Sequence, residues 1–568
     1  MVDTKKMIAE LLSGVLELDP EQTRSLIEKP PNSDFGDFAV PCFGFAKKLR
    51  KDPKMIASDF AARVKPGGLI EKAEPRGPYL NIFLDRSRFI EEVIADLTGT
   101  GFDRPLAGGD GKTVIIDYSS PNIAKPFGIG HLRSTVIGNS LKRIFAYLGY
   151  RTIGINHIGD WGTQFGKLIT AYKLWGDEKK LVHDPIRYLY DLYVRLHREA
   201  EKDPSLEDDA RQWFSRLEKQ DPEALELWQR FRDLSIEDFK RIYGRLGVSF
   251  EHYTGESFYS NLLDETVEEV KKSGITQRSE GALIVPLEDM PPALITKKDG
   301  STLYLTRDIA AVLYRKKSYN FDMILYVVGS PQALHFRQLF GVLERMGNDW
   351  VSRCHHIPFG QIRFSHGAMS TRKGNIIFLE EVMDKAVSLA RDIIEEKNPG
   401  LTNREEIAEA IGVGSIIFND LKNSRIKDIT FDWDEILNFN GETGVYLQYT
   451  HARIGSLLKK LEQKYGALEP FSELKFGECQ FGDEGYEIVG LLNDFEKTVR
   501  RAGKEFEPSV ISRYLLDVAK AFNTFYNSCR VITEDELVSR SRGLIVLCCR
   551  KVLRQGLELL GISAIEEM

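Results

Sequence analysis

The chain has 568 residues, 42% of them hydrophobic and 28% charged, and a formal net charge of −7. This length fits about three or four globular domains, and the acidic balance leaves room for a nucleic-acid partner only on a local basic face. No apolar run approaches the ~20 residues of a membrane span, no leader segment is recognisable, and the six cysteines form no C-x-x-C pair. These features disfavour a membrane protein, a disulfide framework and a zinc site, and they predict a cytoplasmic protein.

Residues 1–105 are expected to form a first, α+β domain. Two helical patterns come first, the string Asp-Phe-Gly-Asp-Phe-Ala follows at residues 34–39, and residues 78–84 alternate as a strand does. The Gly-rich residues 99–111 are typical of a linker.

A second domain is expected over residues 106–400. Residues 113–118 are a continuous apolar run, as a strand covered on both faces requires. A helical pattern follows and ends at Gly149, and residues 151–158 predict the next strand. This order is typical of a parallel sheet of the Rossmann type.

Residues of about 166–290 are predicted to be an insertion into this sheet domain, helical as far as Gly247. Further strands are predicted at residues 282–286, 293–296, 303–306 and 322–328, with a helix from about Gln332. The last domain, residues 401–568, is expected to be all helical because no strong strand pattern occurs beyond residue 405.

A loop between a strand and a helix carries the first chemical motif. Residues 119–131 read Ser-Ser-Pro-Asn-Ile-Ala-Lys-Pro-Phe-Gly-Ile-Gly-His. Unpaired N–H groups at a helix start attract phosphate, and Gly128 and Gly130 permit close approach. Lys125 and His131 add side-chain donors, so the motif predicts a phosphate site.

A second motif lies at residues 366–375, His-Gly-Ala-Met-Ser-Thr-Arg-Lys-Gly-Asn. Its hydroxyls and cations can close on a triphosphate and stabilise charge that develops at the α-phosphate. Alone, such a polar loop is ordinary.

Two further strings adjoin predicted strands. Tyr304 and Asp308 share a face if a helix begins early, and a carboxylate there can receive a guanidinium through two hydrogen bonds. A helix cap is an equally good interpretation of Asp308. Residues 156–166 follow the second strand, where open α/β sheets bind ligands. A tight turn around a buried Trp161 is the alternative.

In the C-terminal part, residues 446–453 read Tyr-Leu-Gln-Tyr-Thr-His-Ala-Arg. Such side chains can stack on and hydrogen-bond to unpaired bases. By periodicity alone, Tyr446 and Tyr449 are better explained as core residues of a helix.

The first two motifs, in this order, resemble the HIGH and KMSKS motifs of class I aminoacyl-tRNA synthetases, in the form that arginyl-tRNA synthetases carry. The resemblance extends over essentially the whole chain. It implies a Rossmann-type catalytic core with a helical insertion, an N-terminal domain that grips the outer corner of tRNA, and a helical anticodon-binding domain. It also implies an arginine–tRNA ligase that uses ATP with Mg²⁺ and no zinc, acts on tRNA(Arg), and is a monomer.

The same resemblance implies roles for individual residues. The arginine side chain is expected at Tyr304, Asp308, Gln332 and Glu256, and its backbone end at Ser119 and Asn122. ATP is expected at Gly128, Gly130, His131, Met369 and Ser370, and the catalytic side chains are Lys125, His131, Arg372 and Lys373. Contacts to tRNA are expected from Tyr79, Asn81, Phe83, Gln448, Tyr449 and Arg453.

The chain departs from the family pattern in two places. Gly128 stands where HIGH has its first histidine, and Ala368 and Thr371 replace two lysines of KMSKS. We hypothesise that Lys125 supplies the missing cation in the transition state.

Two alternatives remain at this stage. A catalytically silent, tRNA-binding relative is suggested by Gly128 and the altered loop. A cysteine or glutamate synthetase is the other alternative, but the chain lacks a Cys/His zinc set and the Tyr304–Asp308 pair suits a cationic substrate.

Overall fold

The computed structural model describes residues 2–99, 102, 104–363, 377–438, 441–468 and 481–568. The chain divides into two compact units, one of residues 1–104, 453–497 and 517–553 and the other of residues 105–452, 498–516 and 554–568. Among the described residues, no helix is long and apolar enough to cross a membrane.

The helices of the described residues are as follows: α1 (Thr4–Leu16), α2 (Pro20–Leu26), α3 (Ala46–Leu49), α4 (Pro53–Arg63), α5 (Arg86–Thr98), α6 (Leu132–Tyr147), α7 (Thr163–Trp175), α8 (Glu178–His183), α9 (Pro185–Ala200), α10 (Ser205–Glu218), α11 (Pro222–Arg245), α12 (Leu263–Lys272), α13 (Tyr304–Tyr319), α14 (Ala333–Arg345), α15 (Leu379–Lys397), α16 (Arg404–Leu421), α17 (Trp433–Ile436), α18 (Gly444–Tyr465), α19 (Gly482–Asn493), α20 (Phe495–Glu505), α21 (Ser509–Ser528) and α22 (Glu536–Leu559). The strands are β1 (Phe38–Pro41), β2 (Ile70–Arg76), β3 (Tyr79–Leu84), β4 (Thr113–Asp117), β5 (Arg151–Asn156), β6 (His252–Tyr253), β7 (Gln277–Ser279), β8 (Ala282–Val285), β9 (Ala293–Thr296), β10 (Met323–Gly329), β11 (Cys354–Phe359), β12 (Ile362–Arg363) and β13 (Ile429–Thr430).

The first unit contains an antiparallel sheet in the order β1-β3-β2. The hydroxyl of Tyr486, on α19, donates to Oδ1 of Asp37 beside β1 (2.8 Å), and the Tyr486 ring meets Phe89 of α5 edge to face. The α+β character predicted for the N-terminal region is confirmed.

The second unit is built on a five-stranded sheet in the order β11-β10-β4-β5-β6, with every neighbouring pair parallel. All five residues of β4 are buried, which explains its continuous apolar sequence. Helix α6 returns the chain from β4 to β5 and ends where Gly149 adopts a left-handed conformation (φ +85°). The Gly149 and Tyr150 N–H groups then bond the carbonyls of Ala146 and Phe145. The predicted parallel core and helix end are confirmed.

One predicted strand is wrong. Leu303 is the N-cap of helix α13 and residues 304–306 form its first turn, while the preceding Thr302 pairs with β9 through a single bridge to Thr296. The short alternation around Leu305 is also compatible with helical spacing, and the buried side chains of Leu305, Ile309 and Val312 follow that spacing. Packing of this helical face onto the sheet therefore decides the conformation.

Helices α7 to α11 confirm the helical insertion, and helices α18 to α22 confirm the helical C-terminal part. Within the described part of residues 405–568, strand structure is limited to β13, two residues that pair in parallel with β12. Such a short pairing leaves no alternation to detect in the sequence.

Gly166 marks a close crossing of helices α7 and α10. A Cβ atom added there would lie 1.9 Å from the Ala210 carbonyl oxygen and 2.9 Å from Cβ of Phe214. Backbone cannot yield as a flexible side chain does, so Gly166→Ala is expected to destabilise the protein by about 1–3 kcal/mol and to lower its Tm in a thermal melt. Gly244→Ala is the matched control, since this helical glycine has open space around its Cα, and the gain in helix propensity should leave Tm unchanged or slightly higher. Equal melting of the two variants would contradict the predicted clash.

Candidate active site at the carboxyl ends of the strands

The loop after β4 is held in an unusual conformation. Ser119, Ser120 and Ala124 have positive φ angles of 71°, 47° and 56°, each of which costs on the order of 1 kcal/mol for a residue with a side chain. The Ser119 hydroxyl lies 2.7 Å from both Thr135 Oγ1 and the Tyr243 hydroxyl, and its N–H donates to Ser134 Oγ (2.8 Å). Buried hydrogen bonds therefore stabilise the loop against the start of α6.

The glycine-containing part of this loop pairs with a distant segment. Gly128 forms an isolated bridge with Phe378, the Ile129 N–H donates to the Ile377 carbonyl (3.0 Å), and the Leu379 N–H donates to the Phe127 carbonyl (2.9 Å). Gly128 has an extended backbone (φ −80°, ψ 161°) and is buried, whereas Gly130 is exposed. The loop is thus joined to the segment that immediately precedes α15.

His131 begins α6 as an uncharged group. Its Nδ1 lies 3.3 Å from the Gly128 carbonyl oxygen, and its ring is 5.2 Å from that of Phe127. Burial lowers the pKa of His131 to about 4, opposed by the Gly128 carbonyl and assisted by the nearby Lys125 ammonium. The histidine is therefore neutral at pH 7, with the Lys125 side chain close beside it.

The loops that follow β4 and β5 contact each other directly. The Gly159 N–H donates to the Pro121 carbonyl (3.0 Å) and the Ile123 N–H donates to the Gly159 carbonyl (3.2 Å). A Cβ atom at Gly159 would lie 2.1 Å from Oδ1 of Asn122, so glycine at this position leaves room for the exposed Asn122 side chain in its present orientation. The structure therefore brings the two predicted strings together at the carboxyl ends of neighbouring strands.

Asp160 links this edge of the sheet to neighbouring elements through hydrogen bonds. Its buried carboxylate accepts from the N–H and hydroxyl of Ser257 (2.8 and 2.6 Å) and from Nε of Arg232 (3.2 Å). The ring of Trp161 is half-buried and lies 5.7 Å from that of Trp228. The string thus joins the sheet to helix α11 of the insertion.

Tyr304 and Asp308 lie four residues apart in α13 and share a face, as an early helix start requires. Oδ2 of Asp308 accepts from Nε2 of His335 (2.6 Å), and Oδ1 lies 4.0 Å from Nε2 of His157. Tyr304 is 63% exposed, so its ring and hydroxyl are open to a ligand. Gln332 is also exposed and ends the 3₁₀ turn Ser330–Gln332 that follows β10.

Glu256 is joined to this group through Arg307. Its carboxylate pairs with Nη1 of Arg307 (3.1 Å), whose guanidinium stands 5.5 Å from the centroid of the Tyr304 ring. Burial raises the pKa of Glu256 to about 7, opposed by Arg307 and assisted by the negative charges of Asp308 and Asp160. The group is therefore ready to change its charge near neutral pH.

Sequence reasoning missed a charge network beneath the site. Arg315 is fully buried and pairs with Asp117 at the end of β4 (2.7 Å), and its Nη2 donates to Nδ1 of His157 (3.3 Å). Since a guanidinium only donates, Nδ1 of His157 is the acceptor, and the ring proton of the neutral histidine sits on Nε2, towards Asp308. Two signals were available in the sequence: an acidic residue, Asp117, ends an apolar strand, and a histidine, His157, stands in the string after β5.

Four predicted site residues lie outside the described residues. Met369, Ser370, Arg372 and Lys373 belong to residues 364–376, and the next residue that the structure describes is Ile377. Their predicted contacts with ATP stay predictions. Among the described residues, no group of three or more His, Cys, Asp or Glu side chains is arranged to hold a metal ion.

The predicted tRNA contacts of the first sheet divide by exposure. Tyr79 and Phe83 are half-buried on β3, where Tyr79 meets the exposed ring of Phe43 edge to face and Lys72 stands 4.5 Å from the centroid of the Phe83 ring. Asn81 lies between them in sequence but is only 3% exposed. Its predicted contact is not supported, because a buried amide presents no surface to tRNA.

The predicted contacts on α18 divide in the same way. Gln448 is fully buried, and its Nε2 donates to the carbonyls of Ala410 (3.0 Å) and Ser563 (2.9 Å). We therefore assign it a structural role in place of the predicted tRNA contact. Tyr449 is 41% exposed. Arg453 stacks 4.4 Å from the centroid of the Tyr526 ring.

Comparison with known proteins identifies three matching family models. The model described as "tRNA synthetases class I (R), catalytic domain" matches residues 101–433, "DALR anticodon binding domain" matches residues 447–568, and "Arginyl tRNA synthetase N terminal domain" matches residues 3–84. Relatives named "Arginine--tRNA ligase" from Halothermothrix orenii and Clostridium perfringens are 46% and 47% identical, each over the full length of both chains.

Solved structures give the same result. The arginyl-tRNA synthetase of Thermus thermophilus matches with a TM-score of 0.81 and 26% identity, covering 100% of both chains. The fold of the arginyl-tRNA synthetase from Plasmodium falciparum is also similar, with a TM-score of 0.78 and 23% identity over 99% of both chains.

Proposed function

Because the chain belongs to the arginyl-tRNA synthetase family of class I tRNA synthetases, we propose that it joins arginine to tRNA(Arg) at the expense of ATP. Arginyl-adenylate is the intermediate, the 2′-hydroxyl of the terminal adenosine receives the arginyl group, and bound tRNA is needed for activation. The observation that carries the choice of arginine is the Asp308 carboxylate beside the exposed Tyr304 ring on α13.

In the arginine pocket, Asp308 accepts the guanidinium through charge-assisted hydrogen bonds, with the Tyr304 ring beside it. His335 already donates to one Asp308 oxygen, which leaves the other oxygen for the substrate. Glu256 and Gln332 complete the side-chain end. Asn122, whose side chain is exposed after β4, receives the amino and carboxylate groups of arginine. Ser119 was predicted to share this contact, but its buried hydroxyl is already bonded to Thr135 and Tyr243, so its role is to hold the loop in place.

In the first step, a carboxylate oxygen of arginine attacks the α-phosphorus of ATP. The new O–P bond forms as the bond to the β-phosphate bridging oxygen breaks, and pyrophosphate leaves with that electron pair. Mg²⁺, which enters with ATP, neutralises charge on the leaving phosphates. Lys125 stabilises charge at the α-phosphate, and neutral His131 hydrogen-bonds to a phosphate oxygen, assisted by Arg372 and Lys373.

In the second step, the 2′-hydroxyl oxygen attacks the carbonyl carbon of arginyl-adenylate. An ester forms, AMP leaves, and the hydroxyl proton is released. Tyr79 and Phe83, and separately Tyr449 and Arg453, are the proposed contacts to tRNA. The protein is also proposed to be a monomer, as the family resemblance implies, and to work in the cytoplasm, as its composition predicts.

Pyrophosphate exchange with arginine and ATP, measured with and without tRNA(Arg), tests this function. Exchange only in the presence of tRNA is the expected result. Exchange without tRNA would support the ligase activity and contradict the proposed tRNA dependence of activation. No exchange under either condition, with tRNA still bound, would replace the proposal with a silent tRNA-binding protein.

Glu256 predicts a pH dependence of arginine binding. A bound guanidinium favours the ionised carboxylate, so arginine should lower the Glu256 pKa from about 7 and release part of a proton near pH 6–7. The affinity should then rise between about pH 5.5 and 7 and level off above, with a limit of tenfold per pH unit for one proton. Calorimetry at pH 6.5 in buffers of different ionisation enthalpy measures that proton. Glu256→Gln should abolish the release, and a wild-type heat independent of buffer would contradict the assignment.

A further inference from the structure

Lys125 is supported by the helical insertion as well as by the sheet. The preceding residue, Ala124, has a left-handed backbone (φ +56°), and its N–H donates to Oγ of Ser235 on α11 (2.9 Å). The Ser235 hydroxyl donates in turn to the Phe231 carbonyl one helical turn earlier (2.6 Å). A helix far along the chain therefore anchors the backbone next to Lys125.

The side chain of Lys125 reaches a second helix of the insertion. Its Nζ lies 5.3 Å from the centroid of the Tyr193 ring on α9, within the range of a cation–π contact. The Tyr193 ring is itself packed, since it is half-buried against an apolar cluster and meets His197 edge to face at 4.6 Å. That cluster contains Ala124, Leu168, Ile169, Leu181, Leu189 and Phe231.

Helix α9 also touches the segment that pairs with the glycine loop. The Arg187 guanidinium lies 4.7 Å from the centroid of the Phe378 ring, and Phe378 forms the bridge with Gly128. The same helix thus contacts both the lysine and the backbone pairing beside it.

We propose that Tyr193 is a positioning residue for arginine activation and that it acts by holding the Lys125 ammonium over its ring. The proposal rests on the proposed function of Lys125 as the transition-state cation. A lysine side chain is long, flexible and strongly hydrated, so ordering it during the reaction would cost entropy. An aromatic ring orders the ammonium in advance without neutralising it, as a carboxylate partner would.

The first test compares variants at position 193 by tRNA-dependent pyrophosphate exchange. Tyr193→Leu should lower kcat about 3- to 30-fold, the range that one cation–π contact supports, with the KM for arginine and ATP unchanged. Tyr193→Phe keeps the ring and should restore kcat to within about twofold of wild type. Tyr188→Leu is the matched control, because Tyr188 lies on the same helix and packs against the same cluster. It should lower Tm as Tyr193→Leu does while kcat is preserved.

A double-mutant cycle with Lys125→Ala separates the two claims. If Tyr193 acts through Lys125, Tyr193→Leu should cause no further loss of kcat in the Lys125→Ala background. If Lys125→Ala lowers kcat and the loss caused by Tyr193→Leu is just as large in that background, the proposal for Tyr193 is overturned and the role of Lys125 stands. An unchanged kcat in Lys125→Ala itself would remove the assumed role of Lys125, and the proposal for Tyr193 with it.

A fluorinated phenylalanine at position 193 provides a variant that keeps the shape of the ring. Fluorination weakens the negative face of the ring, so kcat should fall relative to Tyr193→Phe at equal Tm. Equal kcat values would show that the ring acts only by packing.

Discussion

Lys125→Ala is expected to lower the kcat of tRNA-dependent arginine activation by about 10²–10³-fold and to leave the KM for arginine and ATP within about threefold. Removing one preorganised donor that meets charge developing in the transition state has effects of this size. In the unliganded protein burial lowers the pKa of the neighbouring His131 to about 4, so this side chain offers a hydrogen bond in place of a full positive charge. Single-turnover formation of arginyl-adenylate measures the chemical step directly.

The control for Lys125→Ala is Lys173→Ala, which removes an exposed lysine of the insertion paired with Glu223 (2.6 Å). Exposed pairs contribute little, so its kcat should match that of the wild type. Lys125→Arg keeps the charge but alters its placement and should recover part of the rate. A rise in KM with kcat intact would show that Lys125 binds substrate and does not act in the transition state.

Asp308→Asn is expected to raise the KM for arginine by about 10²-fold or more, with little change in the KM for ATP. The substitution preserves shape but removes the negative charge that receives the guanidinium, and charge-assisted hydrogen bonds contribute about 1.5–3 kcal/mol each. His335 and His157 would remain beside a neutral amide, so the pocket would lose its attraction for a cation.

Steady-state kinetics over a wide range of arginine concentrations measures the effect of Asp308→Asn. Asp299→Asn is the control, since Asp299 lies in an exposed turn and accepts hydrogen bonds from the N–H and hydroxyl of the nearby Ser301. The KM of the control should match that of the wild type. An arginine KM unchanged in Asp308→Asn would place guanidinium recognition elsewhere, with Glu256 the next residue to test.

Much of the architecture could be predicted because its signals are local. The apolar run of β4, the helical spacing of α6 and Gly149 behind it identify a β-α-β unit within about 45 residues, and the structure has these elements at the predicted places. The shared face of Tyr304 and Asp308 was predicted only on the condition that a helix begins early, and α13, which begins at Tyr304, meets that condition. The strand predicted at residues 303–306 failed because four residues do not distinguish alternation from helical spacing.

The supporting contacts of the candidate site could not be predicted in this way. Asp117 and Arg315 are almost two hundred residues apart along the chain. Ala124, the neighbour of Lys125, packs against Leu168 and Phe231 of the insertion helices, which also lie far from it in sequence. The sequence also failed in the opposite direction: Gln448 and Asn81 lie in strings that predicted tRNA contacts, but their side chains are buried. No local pattern states whether an amide faces solvent or a carbonyl of another helix.

By itself, the sequence determined the family and the reaction, and it predicted site residues in the strings at 119–131 and 366–375, because these depend on short strings in a fixed order. The tertiary structure decided that β10 lies beside β4, that His335 and His157 flank Asp308, and that Tyr193 faces Lys125. Strand order and side-chain pairing are set by the burial of apolar faces across hundreds of residues, where chain neighbours carry no information about spatial ones.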